Sequence, residues 1–331
     1  MEFIGLGDLH FDKLNKLIPD VNDLIGKSLR KVLAYALDHG VHNIVFYGDI
    51  GEKSRLSYES QCCLYNIVLD KKYKDLHFRF ILGNHDFDEL GVHSLQVLET
   101  LAAKLSANVT VYSKPKIEVL EGARIKFLPH PYTDTEKDCV NIGHFETLGS
   151  IHDSGRKIKE GVDTKHICLL GHLHTNHRVK NCYYSGTLYQ TNFGESLPKF
   201  FHHVSISRSN KIEVTDVPFT PPWKLENITI LTEKDLDKIE ANPRVLYKVF
   251  VQDGAKVDKD TILKRFPNVV KLNSFKSDKE LKLMITGSWD LEESLVNYDD
   301  TGIIKTYLTD RGLSELKICR AMEILDSLKN N

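Results

Sequence analysis

Five short stretches of the sequence place possible metal-ligand side chains directly after an apolar run and a glycine. In chain order they are GLGDLH with Asp8 and His10, FYGDIGE with Asp49, LGNHD with Asn84, His85 and Asp86, NIGHFE with His144, and LLGHLH with His172 and His174. Glycine lets the backbone turn where a strand ends, and the strand ends of an α/β sheet gather along one edge, where ligands bind. We therefore expect the five stretches to bring carboxylate, amide and imidazole groups together.

This donor set consists of oxygen and nitrogen atoms without a thiolate, which suits Mn²⁺, Fe²⁺ or Zn²⁺ better than a closed structural zinc site. The number of ligands is too high for one ion. Two ions roughly 3.5 to 4 Å apart that share one carboxylate would use them all, and such pairs hydrolyse phosphate esters. The pattern predicts a two-metal centre in which Asn84 is a neutral ligand and His85 is free to meet the substrate.

Each stretch also has an ordinary structural explanation. The two histidines of GHLH could be loop residues bonded to the backbone, and Asp49 and Asn84 are common turn residues. His130 in LPHPY could compete with His144, although its flanking prolines favour a structural turn. The repeated order of strand, glycine and ligand favours the metal centre over these alternatives.

The elements that must position these side chains alternate along the chain. Apolar runs predict strands at 3–6, 43–47 and 78–82, and residues at helical spacing predict helices over about 24–37 and 57–72 between them. This alternation indicates an α/β layer with neighbouring parallel strands. Further strands are predicted at 125–128, 166–170, 181–185 and within 200–217. We expect an α/β fold of two facing mixed β-sheets flanked by helices, followed by a small C-terminal α+β domain.

A proline-rich stretch, TDVPFTPPWKL, divides the chain. It predicts a first domain over 1–215, a linker over 216–225 and a small α+β module over 226–295. The remaining segment, 296–331, carries apolar residues at helical spacing and is predicted to be helical.

The composition is that of a soluble globular protein, with 331 residues, 41% of them hydrophobic and 27% charged. A net charge of −2 neither supports nor excludes a nucleic-acid partner, because any basic surface must be local. The six cysteines lack CxxC spacing, the start has no basic leader, and no apolar span reaches 18 residues. These features favour a reduced, cytoplasmic protein.

The motifs DxH, GD, GNHD, GH and GHxH, in this order, resemble those of the calcineurin-like metallophosphoesterase superfamily. Within it, the chain resembles the SbcD family of double-strand-break nucleases, especially the compact phage-encoded recombination nuclease subunits. GNHD instead of the GNHE of protein phosphatases, the stretch YYSGTLYQTNFGE after GHLH, and a small domain after the boundary carry this resemblance. The motifs cover about the first two thirds of the chain, and beyond residue 225 only the layout is similar.

The resemblance implies two divalent ions, Mn²⁺ in the first place and otherwise Mg²⁺, Fe²⁺ or Zn²⁺. By motif position, one ion would be held by Asp8, His10 and His174 and the other by Asn84, His144 and His172, with Asp49 bridging. His85 would contact the scissile phosphate and assist the leaving oxygen. Some members have a second histidine where this chain has Glu52, which is either a substitute of unknown role or a solvated loop acid.

The resemblance further implies metal-dependent hydrolysis of DNA phosphodiester bonds, by an exonuclease or an endonuclease, in recombination, repair or replication. It implies as partners an SbcC-like coiled-coil ATPase, for which the helix predicted over 313–328 is a docking candidate, and a second copy of the chain, through helices near 57–105. That C-terminal helix could equally pack on its own domain. A phosphodiesterase or phosphatase for small nucleotides and a non-catalytic scaffold are the alternative functions. The host cytoplasm is the expected location if a phage encodes the chain.

Overall fold

The computed structural model of the chain describes residues 1–281, apart from residues 154, 196, 267 and 279. Its strands are β1 (Glu2–Leu6), β2 (Asn43–Phe46), β3 (His77–Ile81), β4 (Val109–Tyr112), β5 (Lys116–Leu120), β6 (Ala123–Leu128), β7 (Val140–His144), β8 (Cys168–Gly171), β9 (His177–Val179), β10 (Cys182–Tyr184), β11 (Lys199–Ile206), β12 (Ile212–Phe219), β13 (Lys224–Ile230), β14 (Val245–Gln252) and β15 (Val269–Phe275). Its helices are α1 (Val21–Asp38), α2 (Tyr58–Val68), α3 (Gln96–Leu105), α4 (Lys234–Lys238) and α5 (Lys259–Arg265). The helix predicted within 296–331 lies outside the described residues.

The first sheet has six strands in the order β12-β11-β1-β2-β3-β4. The strands β1 to β4 are parallel neighbours, whereas β11 lies antiparallel to β1, and β12 antiparallel to β11. Because both faces of its central strands are covered, β1 and β2 are nearly continuous apolar runs and not alternating ones. The carboxyl ends of β1, β2 and β3 therefore lie side by side.

The second sheet has the order β5-β6-β7-β8-β10-β9. Its four central strands are parallel, and β5 and β9 are antiparallel at the two edges. Phe3, Val45 and Ile81 of the first sheet share one core with Ile142 and Leu169 of the second, so the two sheets face each other. The predicted fold class, two facing mixed sheets flanked by helices, is confirmed.

Helices cover the other face of the first sheet. Leu29 and Leu33 of α1 and Leu64 of α2 belong to the same core as Phe46 and Phe80 of that sheet. Helix α2 begins after Ser57, whose hydroxyl accepts the backbone N–H of Ser60, and it ends at Val68, four residues before the predicted end. Among the helices of the described residues, none has the length and apolarity needed to cross a bilayer.

The sequence pattern gives no bounds for strand β7, because the apolar run before Gly143 is short. The structure buries Asn141 completely, and its side-chain amide donates to the backbone carbonyls of Glu136, Cys139 and Ile167. The polar group is thus satisfied inside the sheet, and the strand continues to His144.

A three-stranded parallel sheet, β13-β14-β15, follows the second sheet and has its own core with α4 and α5. The stretch predicted as a linker is partly regular, since β12 runs to Phe219 and β13 begins at Lys224. Pro218 fits in β12 because an edge strand can spare an N–H group. Trp223 between the two strands is buried and donates to the carbonyl oxygen of Gln190.

Candidate metal centre

The structure brings the five predicted stretches together at adjoining strand ends of both sheets. Asp8 and His10 follow β1, Asp49 follows β2, Asn84 and His85 follow β3, His144 ends β7, and His172 and His174 follow β8. The glycines before these side chains permit close approach, since a Cβ at Gly83 would lie 2.1 Å from Oδ1 of Asp49. At Gly83, the glycine before the predicted ligand is therefore required by packing, because a larger residue would collide with Asp49.

Three of the predicted ligands have a left-handed backbone, with φ of 42° at His10, 48° at Asp49 and 82° at His172. Such a conformation is uncommon for residues other than glycine and costs free energy that the surrounding structure must supply. Part of that support is visible, because the carbonyl oxygen of Asp49 accepts the backbone N–H groups of Leu9 and His10, each at 3.0 Å.

The first group of converging ligand atoms, here called the Asp8 site, comprises Asp8, His10 and His174. Nε2 of His10 and Nε2 of His174 are 3.1 Å apart, and Oδ2 of Asp8 is 3.8 Å from the former and 3.5 Å from the latter. This oxygen is buried and has no hydrogen-bond partner. Burial opposes ionisation of Asp8, but nearby His144 and His174 outweigh it and lower the pKa of the carboxyl.

The second group, here called the Asn84 site, comprises Asn84, His144 and His172. Oδ1 of Asn84 lies 3.0 Å from Nε2 of His144 and 3.0 Å from Nδ1 of His172. Nδ1 of His144 donates to the carbonyl oxygen of Tyr47 at 2.7 Å, so a neutral imidazole turns the lone pair of Nε2 toward the amide oxygen. Burial opposes protonation of His144, but Asp49 and Asp8 raise its pKa to about 9.

Asp49 lies between the two sites. Its Oδ2 is 3.3 Å from Nε2 of His144 and 3.8 Å from Nε2 of His10. Burial opposes ionisation of Asp49, but the charge of His144 and its hydrogen bonds keep the pKa of the carboxyl well below its usual range. One carboxylate therefore faces imidazoles of both sites, as a bridging ligand must.

The arrangement fits a pair of divalent cations. Oxygen and nitrogen atoms that can ligate a metal converge at both sites. At the Asp8 site a buried carboxylate oxygen, Oδ2 of Asp8, lacks a hydrogen-bond donor, and a cation there would neutralise it. The donors are carboxylate, amide and imidazole, which suit Mn²⁺, Fe²⁺ or Zn²⁺. The assignment of each side chain as a ligand stays a prediction.

His85 lies beside both sites and reaches solvent. Its Nδ1 donates to the carbonyl oxygen of Glu52 at 2.9 Å, and its Nε2 is 4.0 Å from Oδ2 of Asp49. The His85 side chain is 36% exposed, whereas the side chain of His10 is only 1% exposed. The His85 ring is therefore partly accessible to a substrate phosphate.

Glu52, the residue at the departure from the family pattern, contacts the Asp8 site through its side chain. Its Oε2 is 3.1 Å from Nδ1 of His10, and its Oε1 accepts from Lys13 at 2.8 Å. Burial opposes ionisation, but these two contacts lower the pKa of Glu52 to about 2. The carboxylate thus lies against an imidazole of the centre and against Lys13, and Glu52 is more than a solvated loop acid.

His130 adjoins the centre without contributing one of the converging ligand atoms found among the described residues. Its backbone N–H donates to the carbonyl oxygen of Leu82, and its peptide bond to Pro131 is cis. The imidazole whose Nε2 lies next to Oδ2 of Asp49 is that of His144.

Four acidic residues support the centre, and the sequence pattern names only one of them, Asp86. Asp86 is buried and accepts from the backbone N–H groups of Ile50, Gly51 and Gly83 and from the hydroxyl of Ser94, which joins the loops after β2 and β3. Its place in GNHD is the only sequence signal among the four. The other three contact imidazoles from distant positions in the chain and are Glu146, Asp153 and Glu195.

Comparison with known proteins gives one result for the site-bearing part of the chain. The profile described as calcineurin-like phosphoesterase matches residues 1–200, which include all the predicted ligands and His85. No curated protein matches the chain.

Proposed function

Because the chain belongs to the calcineurin-like phosphoesterase family, we propose that it is a DNA nuclease of the SbcD type, which hydrolyses phosphodiester bonds for recombination, repair or replication. Membership of this family supports the general activity, metal-dependent hydrolysis of phosphate esters. The proposal concerns the substrate and the partners.

The observation that carries the proposal is the position of His85 over a paired-site centre. A sugar oxygen leaves a phosphodiester poorly unless it receives a proton or other stabilisation. Since Nδ1 of His85 donates to Glu52, Nε2 is the atom that can give a proton to the departing oxygen. Because about a third of the side chain is exposed, a bulky ester can approach the ring.

The remaining residues bind and orient. The Asp8 and Asn84 sites would each hold one ion, and Asp49 would hold both. When bound, the ions neutralise charge on the phosphate oxygens and activate water. Glu52 lies beside two histidines of the centre: its carboxylate is close to His10, and its carbonyl oxygen accepts from His85.

Two features of the small module support a polymeric substrate. Its first strand packs against the phosphoesterase part, where Gln190 bonds both the N–H and the carbonyl oxygen of Leu225. Lys248 and Lys271 lie side by side on β14 and β15, and burial together with Lys271 lowers the pKa of Lys248. Neighbouring like charges favour an anionic ligand such as a phosphate backbone.

We propose two protein partners on the basis of the family resemblance. One is an SbcC-like coiled-coil ATPase, with the segment 313–328 outside the described residues as its docking candidate. The other is a second copy of the chain, supported by exposed apolar side chains at Tyr58, Leu90, Val97 and Leu105 on and beside α2 and α3.

The test is Mn²⁺-dependent digestion of end-labelled linear duplex and single-stranded DNA by the full chain and by His85→Ala. Bis(p-nitrophenyl) phosphate serves as the small phosphodiester in parallel. DNA cleavage by the wild type that vanishes in the variant supports the nuclease. Hydrolysis of the small ester with DNA left intact, also after addition of a coiled-coil ATPase partner, would move the assignment to an enzyme for small nucleotides.

A further inference from the structure

His174 is held at both nitrogens. Its Nε2 faces the Asp8 site, 3.5 Å from Oδ2 of Asp8, while its Nδ1 lies 3.0 Å from Oε1 of Glu195 and 3.1 Å from Oδ2 of Asp153. Asp153 also accepts the backbone N–H of His174 at 3.0 Å. The ring therefore cannot turn over without losing these contacts.

Glu195 is fixed by its own partners and is shielded from water. Its side chain is fully buried, and Oε1 accepts from the backbone N–H and the hydroxyl of Thr191 and from the amide of Asn192. Its Oε2 accepts from Lys199 at 2.6 Å and from Thr187 at 3.3 Å. A carboxylate placed this way needs no rearrangement to hold an imidazole.

Lys199 explains how the charge of Glu195 is tolerated inside the protein. Burying a carboxylate without a partner is costly, and the group would take up a proton instead. The Lys199 side chain is only 3% exposed and also donates to Thr187 and to the carbonyl oxygen of His174. The ion pair and the imidazole are thus parts of one buried hydrogen-bonded group.

The other three imidazoles of the centre have weaker support. His144 faces a neutral carbonyl oxygen at Nδ1. The carboxylates behind His10 and His172 belong to Glu52 and Glu146, whose side chains are 24% and 33% exposed. Within the described residues, only His174 among these four has a fully buried carboxylate behind it.

A carboxylate behind a ligand imidazole fixes its orientation and increases its basicity, and its loss typically costs 10 to 100-fold in metal affinity. The Asp8 site has an anionic ligand of its own in Asp8, whereas the corresponding ligand of the Asn84 site is a neutral amide. We propose that Glu195, held by Lys199, is a positioning residue that directs His174 toward Asp8 and makes the Asp8 site bind a divalent ion more tightly than the Asn84 site. This inference rests on the proposed function only through the metal centre.

The test is titration of the metal-free full chain with Mn²⁺, followed by calorimetry and by electron paramagnetic resonance, without DNA. We expect two classes of site in the wild type. Asn84→Ala should remove the weaker class and leave the tighter one. Glu195→Gln should weaken the tighter class about 10 to 100-fold and leave the weaker one unchanged.

Glu118→Gln is the matched control, because Glu118 also binds a lysine and a hydroxyl, those of Lys116 and Tyr112, on the edge strand β5. It should leave both classes unchanged. Glu195→Gln together with Lys199→Met removes both buried charges, and this variant decides the test if the single substitution fails to fold.

A spectroscopic readout separates positioning from simple loss of structure. In long-range proton–nitrogen spectra of the metal-free protein, recorded at alkaline pH where the ring is neutral, we expect the proton of His174 on Nδ1 in the wild type and in Glu118→Gln, and a changed tautomer ratio in Glu195→Gln. An unchanged tight class, or equal weakening of both classes, would overturn the inference, as would failure of both Glu195 variants to fold. Since DNA is absent, none of these results bears on the nuclease proposal, which fails only on the cleavage assay.

Discussion

At the scale of single residues, the histidines of the centre differ in the surroundings of their rings. The His85 ring is partly exposed to solvent, while the histidines of the Asp8 and Asn84 sites face one another and carboxylates. We expect His85→Ala to reduce phosphodiester cleavage by about 10²- to 10⁴-fold, the usual contribution of a positioned acid or base. Mn²⁺ bound per chain, measured by elemental analysis, should stay the same. Loss of the ions with this substitution would contradict the division between ligands and His85.

Asp49 is the residue on which both sites depend. We expect Asp49→Asn to weaken binding of both ions, each by more than about 100-fold, because a bridging ligand should matter more than an outer partner, whose loss costs 10 to 100-fold. Asp8→Asn is the comparison, and it should affect mainly one ion. Calorimetric Mn²⁺ titration of the two variants checks this, and two intact sites in Asp49→Asn would rule out the bridge.

The convergence of these side chains was predictable from sequence, because they follow apolar runs and glycines and parallel strands bring such positions to one edge. Glu195 and Asp153 were not, since each lies 21 residues from His174 and no local pattern records the contact. The sequence showed where Glu52 departs from the family motif but not what it contacts. Its approach to His10 depends on the left-handed backbone at His10 and Asp49, which no local pattern predicts.

At the scale of elements, one carboxylate links the edges of the two sheets. Glu118 on β5 accepts from the hydroxyl of Tyr112 on β4 at 2.8 Å and from Lys116 at 2.7 Å. Burial opposes ionisation of Glu118, but Lys116 and Tyr112 outweigh it and lower the pKa. This pair of contacts therefore favours the folded state when Glu118 is charged.

We expect Glu118→Gln to lower the free energy of unfolding by about 1 kcal/mol at neutral pH. A carboxyl with a lowered folded-state pKa contributes stability above its unfolded value, here 4.5, and loses it as the pH falls through the folded value. The difference between wild type and variant should thus be complete above pH 4.5 and shrink below it. Urea unfolding at several pH values measures this, and a difference that grows on acidification would refute the link.

The parallel strands were readable as elements because burial on both faces makes them continuous apolar runs. The bounds of strand β7 were not readable, because asparagine is common in turns. The sequence does not show that the amide of Asn141 is buried and bonded to backbone carbonyls. The strand propensity of a residue is an average over many environments, and tertiary contacts outweigh the low propensity of asparagine in β7.

At the scale of the whole molecule, exposed apolar side chains on α3 offer a surface that a second copy of the chain could cover. Val97 and Leu105 are 52% and 64% exposed. If a second copy covers them, Val97→Asp should convert a dimer to a monomer in sedimentation velocity at micromolar concentration, because an unpaired charge would be buried. Lys31→Asp on α1 is the control and should stay dimeric. A wild type that is monomeric throughout, or a dimeric Val97→Asp, would dismiss this interface.

Three of the predicted ligands, His10, Asp49 and His172, have a left-handed backbone that only the folded chain maintains. Ions bound by these side chains would therefore stabilise the folded chain by mass action. An ion that binds the folded but not the unfolded chain adds about 2.7 kcal/mol at a free concentration 100 times its dissociation constant. We expect EDTA to lower the melting temperature of the wild type and to leave that of Asp49→Asn unchanged, as differential scanning calorimetry would record. Equal melting temperatures of the wild type with and without EDTA would exclude the coupling. If the coupling holds, the abundance of folded protein in a cell follows the supply of divalent metal as well as the rate of synthesis.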